Sequence, residues 1–151
     1  MNQGATTDVR YINDMDRLLD TATPNSGKIR FEEGAIPKPK EPAATNWLHN
    51  NIGGDILVLA ENNPDGVANP DLLWRGGLVD IKHPIGTLNS LDKLIQDGMR
   101  QTQRNGVLVD VSELSQTDEQ IISTIINRVR RSRGNYAIVI RDGSLIAYIS
   151  K

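Results

Sequence analysis

PDLLWRGGLVDIKHP, residues 70–84, decides how this chain is read. Gly76-Gly77 separates two apolar-rich runs, and a two-residue turn at that pair predicts a β-hairpin. Side chains alternate between the two faces of a strand. With the turn at Gly76-Gly77, Arg75 lies across from Leu78, Leu73 from Asp80, and Asp71 from Lys82. One face then carries Leu72, Trp74, Val79 and Ile81, all apolar. The other carries Asp71, Leu73, Arg75, Leu78, Asp80 and Lys82, so all four charges share it. A slip of one residue would mix the two sets and bury charge.

Working outward from the hairpin, Ala44, Trp47, Leu48 and Ile52 recur at helical spacing behind Pro42, whose missing N–H suits the first helical turn. Gly53-Gly54 stops that helix, and residues 55–59 (DILVL) read as a strand. Downstream, Leu91, Leu94, Ile95, Met99 and Thr102 mark one stripe of a helix over about 90–103, and 107–111 reads as a short buried strand. Thr117 and Gln120 form a capping box ahead of a helix that buries Ile121, Ile122, Ile125, Ile126 and Val129. Residues 136–140 and 145–149 are strands joined by Asp142-Gly143, a strong hairpin signal. The order is α-β-ββ-α-β-α-ββ, which predicts one α+β domain: a single mixed or antiparallel sheet packed with helices.

Residues 1–40 read differently. A short helix from Tyr11 to Leu19 precedes a polar stretch, and Pro37, Pro39 and Pro42 impose an extended connector. We expect an entry segment and Pro-rich linker over 1–40 and a compact domain over 41–151. No apolar run approaches the roughly 18–20 residues of a membrane span. The chain has no cysteine, which excludes disulfides, thiolate metal sites and cysteine nucleophiles. It carries 17 cations against 19 acids, so binding to nucleic acid cannot rest on bulk charge. Arginines nevertheless concentrate between Arg100 and Arg133. GxGxxG and GxxxxGK[ST] are both absent, which argues against a nucleotide-binding fold.

The hairpin register brings Asp71, Asp80 and Lys82 together. Two carboxylates and an ammonium on neighbouring positions perturb one another's pKa values, a setting for acid–base and phosphate chemistry. His83 follows directly as a candidate for proton transfer near neutral pH. Set against this, a polar strand face is ordinarily just the solvated one. A histidine before proline can simply end a strand, and arginines 128–133 lie at a helix C-terminus, where the macrodipole favours cations without any ligand.

These residues resemble the toxin nucleases of the barnase/EndoU/colicin/RelE-like class, found at the C-termini of CdiA-type contact-dependent growth inhibition proteins. The resemblance covers about 41–151 and rests on ATNWLHNNIGGDI, PDLLW, VDIKHP, MRQTQ and GVLVDVS. It implies tRNA cleavage without a metal or other cofactor, the RNA's own 2′-OH attacking the adjacent phosphate. On that reading His83 is the acid/base, Lys82 steadies the phosphate, and Asp80 orients them, with Asp71 and Thr102 completing the catalytic set. Thr87, Lys93, Arg100, Gln101 and Arg104 would contact the RNA. The implied partners are tRNA, a cognate acidic immunity protein over the hairpin face and, as an open question, a host activating factor. Such a domain is delivered within a larger secreted or surface protein and acts in the target cell's cytoplasm.

A second resemblance uses the same residues. Pro70-Asp71, eight residues, then Asp80-Ile81-Lys82 fits the PD-(D/E)XK nuclease pattern. It implies that the two acids bind Mg²⁺ and that the lysine positions the attacking water, with Glu41 and Gln101 as further members. A third reading is a non-enzymatic binding module. Such a surface should present exposed aromatic anchors, whereas both tryptophans fall on apolar stripes.

Overall fold

In the computed structural model the hairpin turns at Arg75-Gly76, and Leu72, Leu73 and Trp74 pair with Val79, Leu78 and Gly77. The structure describes residues 15–61, 70–102, 106–132 and 134–150. Along the chain these form α1 (15–20), β1 (Ile29–Phe31), α2 (Glu41–Asn51), β2 (Ile56–Val58), β3 (Leu72–Trp74) and β4 (Gly77–Lys82). There follow α3 (Leu88–Thr102), β5 (Gly106–Asp110), α4 (Asp118–Arg130), β6 (Tyr136–Arg141) and β7 (Ser144–Ser150). The seven strands form one sheet in the order β1-β2-β3-β4-β5-β6-β7. β1 and β2 are parallel, β4, β5 and β6 are mutually parallel, and the remaining pairs are antiparallel. The expected α+β class, element order and mixed sheet hold.

Each sheet face has its own core. Ile56, Val58, Leu72, Trp74, Val79, Ile81, Leu108 and Ile138 pack under α2 together with Leu18 of α1. Val107, Val109, Ala137, Val139 and Ala147 pack under α3 and α4. Helices on both sides explain why β5 reads as an unbroken apolar run rather than an alternating one. The capping box at Thr117 forms as expected, the Thr117 hydroxyl accepting from the Gln120 N–H and the Gln120 side chain from the Thr117 N–H. Asp92 of α3 and Arg128 of α4 lock those two helices with a bidentate ion pair at 2.9 and 2.6 Å. Arg128 therefore belongs to the packing of the fold. The guanidinium holds the Asp92 carboxyl below the usual carboxylate range.

The turn differs from the Gly76-Gly77 expectation for a long-range reason. Arg75 adopts φ 52° and Gly76 φ 75°, the pair of positive angles that a tight hairpin turn requires. A left-handed arginine costs about 1 kcal/mol. Offsetting this, its guanidinium stacks on the Trp74 ring at 4.6 Å and donates to the Thr21 hydroxyl and carbonyl, both at 2.9 Å. The register moves by two residues, so every side chain keeps its face.

Residues 15–35, expected as part of a lead-in segment, pack against the same sheet. Leu18 is only 3% exposed, β1 adds a parallel strand beside β2, and the Thr23 N–H donates to the Ile52 carbonyl at 2.7 Å. A chain lacking residues 1–36 is accordingly expected to lose about 3 kcal/mol or more of stability, the scale of deleting one large buried side chain with its contacts. Urea unfolding of the two chains measures it. Equal midpoints would show that the stretch is a separable appendage.

Candidate active site

Sheet alternation puts Asp71, Asp80 and Lys82 on the α3 side of the hairpin. One step beyond the Leu72–Val79 pair, Asp71 stands across from Asp80 rather than from Lys82. The correction matters chemically, because the two carboxyl groups now face each other. Asp80 is 3% exposed, and its Oδ2 lies 3.0 Å from the Lys82 Nζ. That oxygen is buried and receives no hydrogen bond of good geometry, so the ion pair is its support. Asp71 Oδ2 accepts the Ile81 N–H at 2.7 Å. Glu41, in the first turn of α2, is near enough for its charge to act on Asp71.

The electrostatics follow from this crowding. Burial, then hydrogen bonding to Asp80 and the Asp80 charge, push the Asp71 carboxyl up to about 9, against the lowering effect of the Ile81 N–H. A buried and a half-buried carboxylate beside one ammonium carry one uncompensated negative charge, and like charges this close cannot both ionise cheaply. A proton on Asp71 answers that imbalance. A divalent cation would answer it equally well, and Asp80 Oδ2, buried with an ion pair but no hydrogen bond, is the kind of oxygen such an ion would take. Among the described residues no three His, Cys, Asp or Glu side chains converge on one point, which rules against a closed zinc-type cage of such ligands there. Mg²⁺ suits the pair better, since it commonly uses one or two protein carboxylates and fills its sphere with water and phosphate oxygens.

His83 is not part of this cluster. It shares the strand parity of Val79 and Ile81, and its neighbour across the parallel pair is Asp110, one step past Lys82–Val109. Its Nδ1 lies 3.8 Å from Asp110 Oδ2, and its Nε2 is buried without a partner. Asp110 in turn accepts from the N–H and hydroxyl of Ser112. The sequence placed His83 beside Lys82 because it is adjacent in the chain. Adjacency in a strand means opposite faces.

The expected RNA contacts scatter. Thr87 caps α3, its Oγ1 accepting the Ser90 N–H at 3.2 Å. Lys93 and Arg100 are exposed on α3, the latter paired with Asp97 at 2.6 Å. Gln101 and Thr102 fall on the last turn of α3, but their side chains lie outside the described residues, as does all of Arg104. Gly98 of α3 was not anticipated. A Cβ there would lie 3.1 Å from Asp80 Oδ2 and 3.3 Å from the Lys82 Cε.

The fold that carries this hairpin is similar to one in a solved structure. A chain of the CdiA-CT/CdiI toxin and immunity complex from Burkholderia pseudomallei matches this structure with a TM-score of 0.60. The chain shares that fold. The match covers 83% of this chain and 99% of the other at 19% identity, so it speaks to architecture and not to chemistry. No protein-family model matches the sequence, and no curated protein does either.

Proposed function

We propose that this chain is an antibacterial toxin nuclease of the contact-dependent growth inhibition type, which holds a divalent cation between Asp71 and Asp80 and cuts tRNA. The observation that carries the nuclease reading is the facing pair Asp71 and Asp80 beside Lys82, with His83 on the opposite face. Asp71 and Asp80 would hold Mg²⁺, which would supply Lewis-acid polarisation of a phosphoryl oxygen and lower the pKa of an attacking water. Lys82 keeps its ion pair with Asp80, and its N–H groups can orient the attacking water and balance charge on the phosphate. Asp80 has two tasks, as cation ligand and as anchor of the Lys82 ammonium.

Metal-free attack by the 2′-OH needs a base and an acid within reach of one ribose–phosphate unit. His83 was the natural candidate, and its place across the sheet from Lys82 weighs against that route. The toxin part of the reading is supported by the likeness to a chain of a toxin and immunity complex. It implies delivery as part of a larger protein, action in the target-cell cytoplasm and a cognate immunity protein in the producing cell, with a host activating factor as a further partner to test.

The experiment is incubation with total bacterial tRNA and, separately, plasmid DNA, in EDTA and then in Mg²⁺, with analysis of product ends. We expect tRNA cleavage in Mg²⁺ alone, leaving 5′-phosphate ends. Cleavage in EDTA leaving 2′,3′-cyclic phosphate would return the chemistry to the metal-free route, and cutting of DNA alone would change the substrate. Silence in every arm would sink the nuclease reading.

A further inference from the structure

The residue that shapes the site most closely from outside the hairpin is a glycine in the middle of a helix. α3 carries its buried stripe through Leu91, Ile95 and Met99, and Gly98 is buried beside it. A glycine inside a helix is unfavourable relative to alanine, so its presence on a packed face asks for a steric reason. The reason is measurable. A methyl group at Gly98 would meet Val107 Cγ1 at 3.0 Å, Asp80 Oδ2 at 3.1 Å and Lys82 Cε at 3.3 Å. All three distances are tighter than ordinary van der Waals contact, so these neighbours would have to give by a few tenths of an ångström. Two of the three are the ion pair itself.

We infer that Gly98 is a positioning residue: its bare backbone lets α3 seat directly on the sheet while the Lys82 stem and the Asp80 carboxylate pass beneath it, with the Lys82 Nζ 3.0 Å from Asp80 Oδ2. The inference rests on the cation-dependent reading above. Val107 pairs with Asp80 across β4 and β5, and so stands beside the carboxylate under the same helix turn. A side chain at Gly98 therefore has one hydrophobic wall and one ionic wall. Val107 is packed into a core, whereas the Lys82 side chain is long, flexible and 17% exposed, so the ionic wall is the part that yields.

The consequence separates stability from activity. Gly98→Ala gains helix propensity yet displaces Asp80 and Lys82. Displacements well under 1 Å in a reacting site are expected to cost about tenfold in rate. We expect kcat on tRNA in Mg²⁺ to fall by that factor with KM little changed, and Mn²⁺ affinity, read by thermal shift, to weaken in step. The thermal midpoint without cation should not fall. Gly98→Ala combined with Val107→Ala removes the hydrophobic wall, lets the new methyl move away from Asp80, and is expected to recover most of the rate while lowering the midpoint. A merely structural glycine would not show activity rising as stability falls. Wild-type rate and Mn²⁺ affinity in Gly98→Ala would overturn the inference, as would a double variant slower than the single one. A wild-type chain that neither cuts tRNA nor binds Mn²⁺ would instead overturn the function on which it rests.

Discussion

Asp71→Asn is expected to raise the thermal midpoint of the cation-free protein at pH 8 and to abolish its cleavage of tRNA. The two effects have one cause. The Asp71 carboxyl is raised from an ordinary 3.8 to about 9 by burial and by Asp80. The folded chain thus holds a proton that the unfolded chain releases, and the stability this group contributes is full below about pH 4 and is lost as pH rises towards 9. Each unit of difference in pKa corresponds to at most about 1.4 kcal/mol, a ceiling that relaxation around the site will reduce. A neutral amide removes the penalty and leaves a shape close to the original. It also removes one of the two oxyanions that would hold a cation, so cutting should fall by about a thousandfold or more, the scale of losing a group essential to the transition state. The pH dependence gives an independent check. Between pH 5 and pH 8 the cation-free wild type should lose stability that the Asn variant keeps, and Mn²⁺ should restore it more at pH 8 than at pH 5. Matching pH profiles for the two proteins would show that Asp71 does not carry the proton.

Lys82→Ala and His83→Asn, made side by side, should part company. Without the Lys82 ammonium the buried Asp80 carboxylate loses its ion pair at 3.0 Å, and the cation-free fold should weaken by about 1–3 kcal/mol. Adding Mg²⁺ should return the stability and not the cutting, which we expect to stay at least about a hundredfold down because the charge that balances the phosphate is gone. His83→Asn keeps a polar group opposite Asp110 and leaves the α3 face untouched, so the rate should stay within a few-fold of wild type. A His83 variant as inactive as the Lys82 variant would move the chemistry to the other side of the sheet and revive the metal-free route. Single-turnover rates at saturating Mg²⁺ decide between these outcomes.

The hairpin also marks where reading a sequence stops. Alternation has a period of two, so the assignment of Leu72, Trp74, Val79 and Ile81 to one face and of Asp71, Asp80 and Lys82 to the other survives a two-residue change of register. The capping box at Thr117 and the turn at Asp142-Gly143 were equally legible, because each is made by residues within four positions of one another. Local rules also gave the α+β class, since the helical and strand periods are written in the order of apolar residues.

What the sequence could not supply was set by contacts between distant parts of the chain. The turn moved to Arg75-Gly76 because Thr21, 54 positions earlier, accepts the Arg75 guanidinium, and that shift alone put Asp71 opposite Asp80 instead of Lys82. β1 is three residues long and has no pattern of its own; it exists as a strand because β2 offers it a parallel edge. Alternation already sent His83 to the face opposite Lys82, but only the pairing of β4 with β5 decided that it meets Asp110 there. The role of Gly98 depends on which strand runs beneath α3. The amino-acid order by itself fixed which residues share a face, because that follows from backbone geometry; only the tertiary structure decided which of them meet, because meeting depends on register and on helices brought in from elsewhere in the chain.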